Sequence, residues 1–441
     1  MFSKVVLSRN LARYSNPRHL STSNVVLAKH SCKLLVVGGG SGGCAVAAKF
    51  AKNMKKDEII VVDPADMHYY QPMFTMIGGG IKKLKDAGRK MGDVLPKNAK
   101  WLKDSVTEFN PKNNQIQTKS GDIINYDYML VGVGLQLNYD KIPGVLEGLS
   151  MKNSGVCSNY SPKYVDRTYE ALQQFESGNA IFTFPNSPVK CPGAPQKVMY
   201  ISEHYFRKMG KRDKANVIYN TSLPVLFGVK KYADALWKIV KERNINVNLR
   251  TNLIEVRPSE KVAVFENLDK PEQKTTMEYS MLHVTPPMST PDVLRTCKDL
   301  VNDAGYVDVD KDTLRSTKFG NVFAIGDCGN SPNSKTAASV AAQSQIVFKN
   351  MQAVMNGQDP KSVYDGYASC PLVTGYGSCI LAEFDYNLTP TETFPISQDR
   401  EMFIMYMMKK DFMPPLYWHM MLNGYWNGPG LMRSVMHLGM K

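Results

Sequence analysis

Five glycines in six residues, Gly38-Gly39-Gly40-Ser41-Gly42-Gly43, separate an apolar stretch from one of small residues. Lys33-Leu34-Leu35-Val36-Val37 reads as a buried parallel strand, and Cys44 to Met54 as a helix. Gly38, Gly40 and Gly43 satisfy G-x-G-x-x-G. One such glycine makes the tight turn, the next lets a pyrophosphate approach the backbone, and the third lets helix pack on strand. The helix start, with Ser41 and Gly42, offers N–H groups and the positive end of its dipole to phosphates. Glu58-Ile59-Ile60-Val61-Val62-Asp63 reads as a second strand. Asp63 closes it twenty residues after Gly43, where a carboxylate binds ribose hydroxyls. An acid there favours an unphosphorylated ribose, so FAD or NAD rather than NADP. The fold class is α/β.

Two later segments bear on the choice of cofactor. Tyr126 to Val131 is a strand entering the tight turn Gly132-Val133-Gly134. Asn321 to Ile325 is another, ending in Gly326-Asp327, followed by the small-residue helix start Lys335-Thr336-Ala337-Ala338. The three segments together resemble the two-dinucleotide-binding-domain flavoproteins, the glutathione-reductase-like class. The usual Ala-Thr-Gly of that class is Gly132-Val133-Gly134 here. The resemblance implies bound FAD, with Asp327 at the ribityl chain and the following helix aimed at the isoalloxazine. The cofactor set it implies adds Gln71, Gly134, Lys335 and Thr336 to the glycine turn and Asp63.

The middle of the chain has the pattern of a second Rossmann-like unit. Asn179 to Phe184 reads as a strand, 196–209 as a helix and Ala215 to Tyr219 as the next strand. The turn between the first two, Pro185 to Pro195, has no G-x-G-x-x-G. Its four prolines, Pro185, Pro188, Pro192 and Pro195, stiffen the loop and remove amide donors that would cradle a pyrophosphate. The fold is expected without its nicotinamide site, so electrons must come from something other than NAD(P)H.

That loop carries Cys191, flanked by Lys190 and Lys197. Nearby cations lower a thiol pKa toward the reactive thiolate. Cys370 lies in Ser369-Cys370-Pro371-Leu372-Val373-Thr374-Gly375-Tyr376. Both cysteines precede a proline, which biases their backbone away from α. No C-x-x-C occurs among the eight cysteines, which argues against a thioredoxin-like centre or structural zinc; no metal is expected. Spacing alone leaves a Cys191–Cys370 pair and two unrelated thiols both open.

Val189-Lys190-Cys191-Pro192-Gly193-Ala194-Pro195-Gln196-Lys197, His283-Val284-Thr285-Pro286-Pro287-Met288, the Cys370 segment and Leu381-Ala382-Glu383-Phe384-Asp385-Tyr386 resemble the sulfide:quinone oxidoreductases, animal mitochondrial branch. The resemblance runs from about Lys33 to Lys441. It implies a redox-active Cys191–Cys370 pair, with the persulfide on Cys370 and a flavin-facing thiolate on Cys191. It implies sulfide as donor, a quinone as electron acceptor, and glutathione or sulfite as sulfur acceptor. Lys197 and Lys409 are candidates for positive potential beside anionic sulfur or reduced flavin, and Glu147 for an acid–base group. Solvated lysines and a loop carboxylate are the plain alternatives. Rival functions are an NADH:quinone oxidoreductase of the same fold and a flavin-binding protein without turnover.

The ends differ from the middle. Residues 1–32 carry five Lys and Arg, several Ser and Thr, and no acid before Asp57. That pattern fits a mitochondrial transit peptide, or else a basic arm. Ten of the 25 methionines lie between Met402 and Met440, and no charged residue occurs from Phe412 to Met432. Pro414, Pro415, Gly424 and Gly428 break any spanning helix. Two amphipathic helices, 401–411 and 415–423, suit monotopic contact with the mitochondrial inner membrane; a packed element or dimer interface is the alternative. The expected organisation is 1–32 transit peptide, 33–155 first part of the FAD domain, 156–298 second Rossmann-like domain, 299–360 second part of the FAD domain, and 361–441 the C-terminal membrane-contact region. The net charge of +14 is accounted for by the leader, phosphates, anionic sulfur and a membrane surface, so nucleic acid is not an expected partner.

Overall fold

The computed structural model describes residues 28–439. Its first sheet centres on the strand Lys29–Val37. Val37 lies beside Val62 of the parallel strand Ile59–Val62 and beside Val131 of the parallel strand Ile123–Val131. Val322–Ala324 joins in parallel on the far side, Ala324 opposite Val131. Burial of both faces explains why residues 34–37, the strand Ile59–Val62 and residues 129–131 are unbroken apolar runs rather than alternations. The register puts the turns after Val37, Val62, Val131 and Ala324 along one edge, where open parallel sheets bind ligands. Because Val322–Ala324 arrives from far down the chain, the first domain is discontinuous, as expected.

The first strand starts at Lys29, before the expected Lys33. Lys29 to Cys32 pair with Ile123 to Tyr126. The last residues of the expected leader 1–32 are thus built into the sheet, a correction to that boundary. The rest of the leader, 1–27, lies outside the described residues.

The second sheet has five parallel strands in the order Val156–Cys157, Met281–His283, Gly178–Phe184, Ala215–Thr221 and Asn246–Asn248. The loop after Phe184 leads into the helix Ala194–Lys208, whose inner face is fully buried at Val198, Tyr200 and Ile201. The antiparallel hairpin Ala368–Gly375 with Ser378–Phe384 packs on that helix. Alternation along the hairpin sends Cys370, Leu372 and Ile380 into the second-domain core, and Val373, Cys379 and Leu381 to the opposite face.

The C-terminal region forms one helical path over 403–421 rather than two helices. Wide turns at Met408–Phe412 and Leu416–Met421 flank the short turn Met413–Pro415. Such i→i+5 turns re-route the hydrogen bonds that Pro414 and Pro415 cannot make. A short helix, Gly430–Met436, follows. Phe403, Ile404, Phe412, Leu431 and Val435 of this region are exposed. Among the described residues, no helix is long and apolar enough to cross a membrane.

Candidate active site

The glycine turn divides its labour. Gly38 has φ +101°, and a Cβ there would lie 2.5 Å from the Gly132 carbonyl oxygen. A Cβ at Gly43 would lie 1.8 Å from the Gly38 carbonyl oxygen. Both glycines are therefore needed by the protein itself. A Cβ at Gly40 would meet nothing nearer than 4.0 Å, so this glycine leaves space for a ligand. The Asp63 carboxylate accepts hydrogen bonds from the Gly39 N–H at 2.6 Å and the Ala65 N–H at 2.8 Å. Burial raises its pKa, and these bonds oppose the shift.

A cavity of about 1520 Å³, counting its open mouth, runs from this turn to Cys191. Every residue of the expected cofactor set except Gly43 lines it; Gly43 lies behind, packed on Gly38. The helix Ala337–Met355, capped by the Thr336 side chain on the Ser339 N–H, points its start at the same space. Asp327 lines it too, its pKa raised by burial and drawn back by Lys335 and Lys190. Two helix starts, an open glycine and a carboxylate at each end fit a dinucleotide.

The two cysteines meet at the far end. Cys191 Sγ lies 3.8 Å from Cys370 Sγ, although 179 positions separate them. Lys197 Nζ donates to Cys191 Sγ at 3.4 Å. The Cys370 hydrogen bond holds the Cys191 thiol well below its ordinary pKa; the charges of Lys197 and Lys409 add to this against burial. The same bond and burial push Cys370 well above its ordinary value. The negative charge therefore sits on Cys191 and the proton on Cys370. Lys197 is buried, which works against its charge, but the neighbouring sulfur keeps its pKa raised. Lys409, also buried, is pushed down to about 8 by desolvation and by Lys197.

Backbone geometry maintains the pair. Cys191 is left-handed, φ +53°, rather than extended as the following proline suggests. Its N–H donates to the Lys335 carbonyl at 2.8 Å, and its carbonyl accepts from the Ala194 N–H at 2.8 Å. Such a conformation costs about 1–3 kcal/mol and persists only where its surroundings enforce it. A Cβ at Gly193 would lie 2.4 Å from Cys370 Sγ, so the sulfurs meet only because this position is bare.

A second cavity, about 760 Å³ and almost wholly apolar, adjoins the first and shares Tyr70, Ala337, Ala338, Ser369 and Met413 with it. Met408, Phe412, Leu416 and Met432 supply part of its wall from the C-terminal region. Tyr417 anchors that region to the glycine turn. His68 Nδ1 lies 3.0 Å from the Gly39 carbonyl, which can only accept, so that nitrogen carries the proton. His68 Nε2 then accepts from the Tyr417 hydroxyl at 2.6 Å, which accepts from Ser41 at 2.7 Å. Burial pushes His68 down to about 4, which keeps it neutral in this chain of bonds.

Glu147 is not part of the site. It is exposed on the helix Val145–Ser150, which buries Val145, Gly148 and Leu149 instead, and it lines neither cavity. Its proposed acid–base role is corrected accordingly. Cys157 lies outside both cavities: it is buried, its Sγ meets the Leu282 carbonyl at 3.6 Å, and burial raises its pKa to about 12. Tyr70, Gly193, His68 and Tyr417 were not singled out from sequence. Nothing local marks them, because their partners lie on other elements.

Comparison with known proteins identifies the family and the fold. The family described as pyridine nucleotide-disulphide oxidoreductase matches residues 32–171 and 203–344. The unmatched interval contains the loop of Cys191. Mitochondrial sulfide:quinone oxidoreductase of Mus musculus is 53% identical over 97% of this chain and 94% of its own. The chain belongs to the sulfide:quinone oxidoreductase family. The mitochondrial member from Dictyostelium discoideum is 42% identical, over 91% of this chain and 88% of its own. The fold also matches the solved sulfide:quinone oxidoreductase of Aquifex aeolicus, with TM-score 0.76 and 18% identity over 93% of this chain and 96% of that one. Membership makes the protein an oxidoreductase and implies a flavin cofactor.

Proposed function

We propose that the protein oxidises sulfide at the Cys191–Cys370 pair with FAD in the first cavity, and delivers the electrons to a quinone in the second. The observation that carries this reading is a polarised thiol pair where a dinucleotide cavity adjoins an apolar one. When bound, FAD supplies a two-electron acceptor beside Cys191. Gly38, Gly40, Ser41, Gly42 and Gly43 with the helix start would hold its pyrophosphate. Asp63 would hold a ribose. Gln71, Gly134, Asp327, Lys335 and Thr336 complete the binding set.

The pair performs the sulfur chemistry by exchange. Hydrosulfide attacks Cys370 Sγ of the oxidised pair, and the bond to Cys191 breaks. Cys191 leaves because the Lys197 ammonium, within hydrogen-bond reach of its sulfur, favours its anion. Cys370 now carries the added sulfur as a persulfide. The thiolate of glutathione, or sulfite, attacks that outer sulfur and releases Cys370 as a thiolate. Cys370 takes up a proton; two electrons and that proton then leave the pair as the disulfide re-forms, and Lys197 with Lys409 supplies positive potential as charge moves. Exposed Phe412, which lines the apolar cavity, and exposed Phe403, Ile404 and Leu431 of the same C-terminal region suit monotopic docking on the mitochondrial inner membrane, from which quinone enters.

Anaerobic titration of the purified holoprotein tests this. Sulfide is expected to bleach the flavin and a short-chain quinone to restore its colour, whereas NADH leaves the spectrum unchanged. Bleaching by NADH but not by sulfide would reverse the assignment.

A further inference from the structure

The apolar cavity has one carboxylate in its wall, Glu383, on the strand Ser378–Phe384. The side chain is 2% exposed and has no Lys, Arg or His nitrogen within 4 Å among the described residues. It accepts hydrogen bonds from the Tyr367 hydroxyl at 2.5 Å, the Thr393 hydroxyl at 2.7 Å, the Thr393 N–H at 2.8 Å and Gln398 Nε2 at 2.8 Å. Tyr367 and Thr393 also line the cavity. Against the ring of Tyr367 lies Arg433, with its guanidinium carbon 4.9 Å from the ring centroid. Arg433 is 6% exposed, and its Nε and one terminal nitrogen have no hydrogen-bond partner. Tyr367 thus lies between an unpaired buried cation and an unpaired buried carboxylate.

A plain structural role would make Glu383 a staple between the hairpin and the segment around Thr393. That role needs hydrogen bonds but neither ionisable chemistry nor a place on the cavity wall. Burying a carboxylate without a counter-cation is costly, whereas an apolar residue would suit an apolar wall. A proton-consuming reaction inside the cavity gives the group a purpose.

We infer that the Tyr367–Glu383 pair is the proton source for quinone reduction in this cavity. This rests on the reading that the cavity takes the quinone. Conversion of a quinone to a quinol consumes two electrons and two protons. Both electrons and one proton come from the reduced cofactor. The second proton comes from a protonated Glu383: its O–H bond breaks toward the Tyr367 oxygen as the Tyr367 O–H gives its proton to a quinone oxygen, which leaves a phenol and a carboxylate. The pair regains that proton from solvent, so it ends as it began. An apolar pocket has few waters to do this, and Glu383 is the one carboxyl group in its wall. Arg433, held over Tyr367, stabilises the negative charge left on the pair until it is reprotonated.

The test separates electrons from protons. Glu383→Gln holoprotein is reduced anaerobically with sulfide, then mixed with a short-chain quinone or with ferricyanide, which takes electrons without protons. The expected result is reoxidation by quinone slowed roughly 10–100-fold, with sulfide reduction and ferricyanide reoxidation unchanged. Trp426 lines the cavity, so quenching of its fluorescence by quinone reports affinity in the resting protein without turnover; the affinity is expected to stay at the wild-type level. Glu383→Asp should recover part of the rate. If Glu383→Gln does not fold, Tyr367→Phe, which keeps the carboxylate, must show the same quinone-only defect. Equal slowing with both acceptors, lost quenching, or an unchanged quinone rate would each overturn the inference. Wild-type protein that sulfide bleaches but quinone neither quenches nor reoxidises would instead overturn the assignment of the cavity.

Discussion

The turns after Val37 and Phe184 occupy the same topological place, each joining a parallel strand to the helix that follows it, yet the two differ in kind. After Val37, six residues with five glycines bring the helix Ser41–Phe50 so close that a Cβ at Gly43 would overlap the Gly38 carbonyl. After Phe184, a longer loop with three prolines, and a fourth in the first turn of the helix, has few amide donors to offer and holds a cysteine in a left-handed conformation just before that helix. On the proposed function, the first turn binds through its backbone and the second acts through a side chain. A parallel-sheet crest positions whatever its turn contains, so exchanging glycine for proline and cysteine converts a phosphate cradle into a sulfur platform.

Substitution at the second turn should abolish chemistry and spare the cofactor. Cys191→Ser is expected to reduce sulfide-dependent quinone reduction by on the order of 10³-fold or more, while flavin content, read from the visible spectrum, stays at the wild-type level. Simultaneous loss of flavin would break the division between the turns. At the first turn the pattern should reverse. Gly43→Ala meets backbone rather than a yielding side chain, and should destabilise by about 3 kcal/mol or more. The protein should purify without flavin, with a lowered unfolding midpoint.

Lys197→Met probes how the second turn tunes its thiol. Cys191 is held below its ordinary pKa partly by that ammonium, so removing the charge raises the thiol pKa. The thiolate fraction at neutral pH then falls, and the rate of flavin bleaching by sulfide should drop roughly 10-fold. The loss should shrink as pH rises through the new thiol pKa. A deficit constant across pH would mean that Lys197 acts by packing alone. The smallest expected effect concerns the first turn. Tyr417→Phe removes the hydroxyl linking Ser41 and His68, and should cost about 1 kcal/mol, seen as a modest drop in thermal midpoint and faster flavin loss. An unchanged midpoint would mean that the C-terminal region does not depend on this link.

The first turn was legible because its requirements are consecutive. Gly38, Gly40 and Gly43 serve backbone needs that recur at fixed spacing, and Asp63 follows at the distance set by one helix and one strand. The absence of that pattern at 185–195 was equally legible. Lys197 could be associated with Cys191 because it lies in the first turn of the helix that follows. Lys409 could not be placed by such reasoning, since it arrives on the C-terminal helical path. Glu147 failed for a related reason: its own helix turns it to solvent. The C-terminal apolar stretch was visible in composition, but its continuous path through Pro414 and Pro415 was not, because propensity says nothing about wide turns stabilised by packing.

The sequence by itself determined where a dinucleotide can lie, that the second sheet lacks the loop to bind another, and which family motifs surround Cys191 and Cys370. These are local matters of turn geometry and missing donors. Only the tertiary structure decided which sulfur carries the charge, that Gly193 lets the two sulfurs meet, and that the dinucleotide cavity opens beside an apolar one bearing Glu383. Each of those depends on burial and on charges brought together from separate segments. A thiol's pKa or a carboxylate's purpose comes from its neighbours in space, and the chain order does not name them.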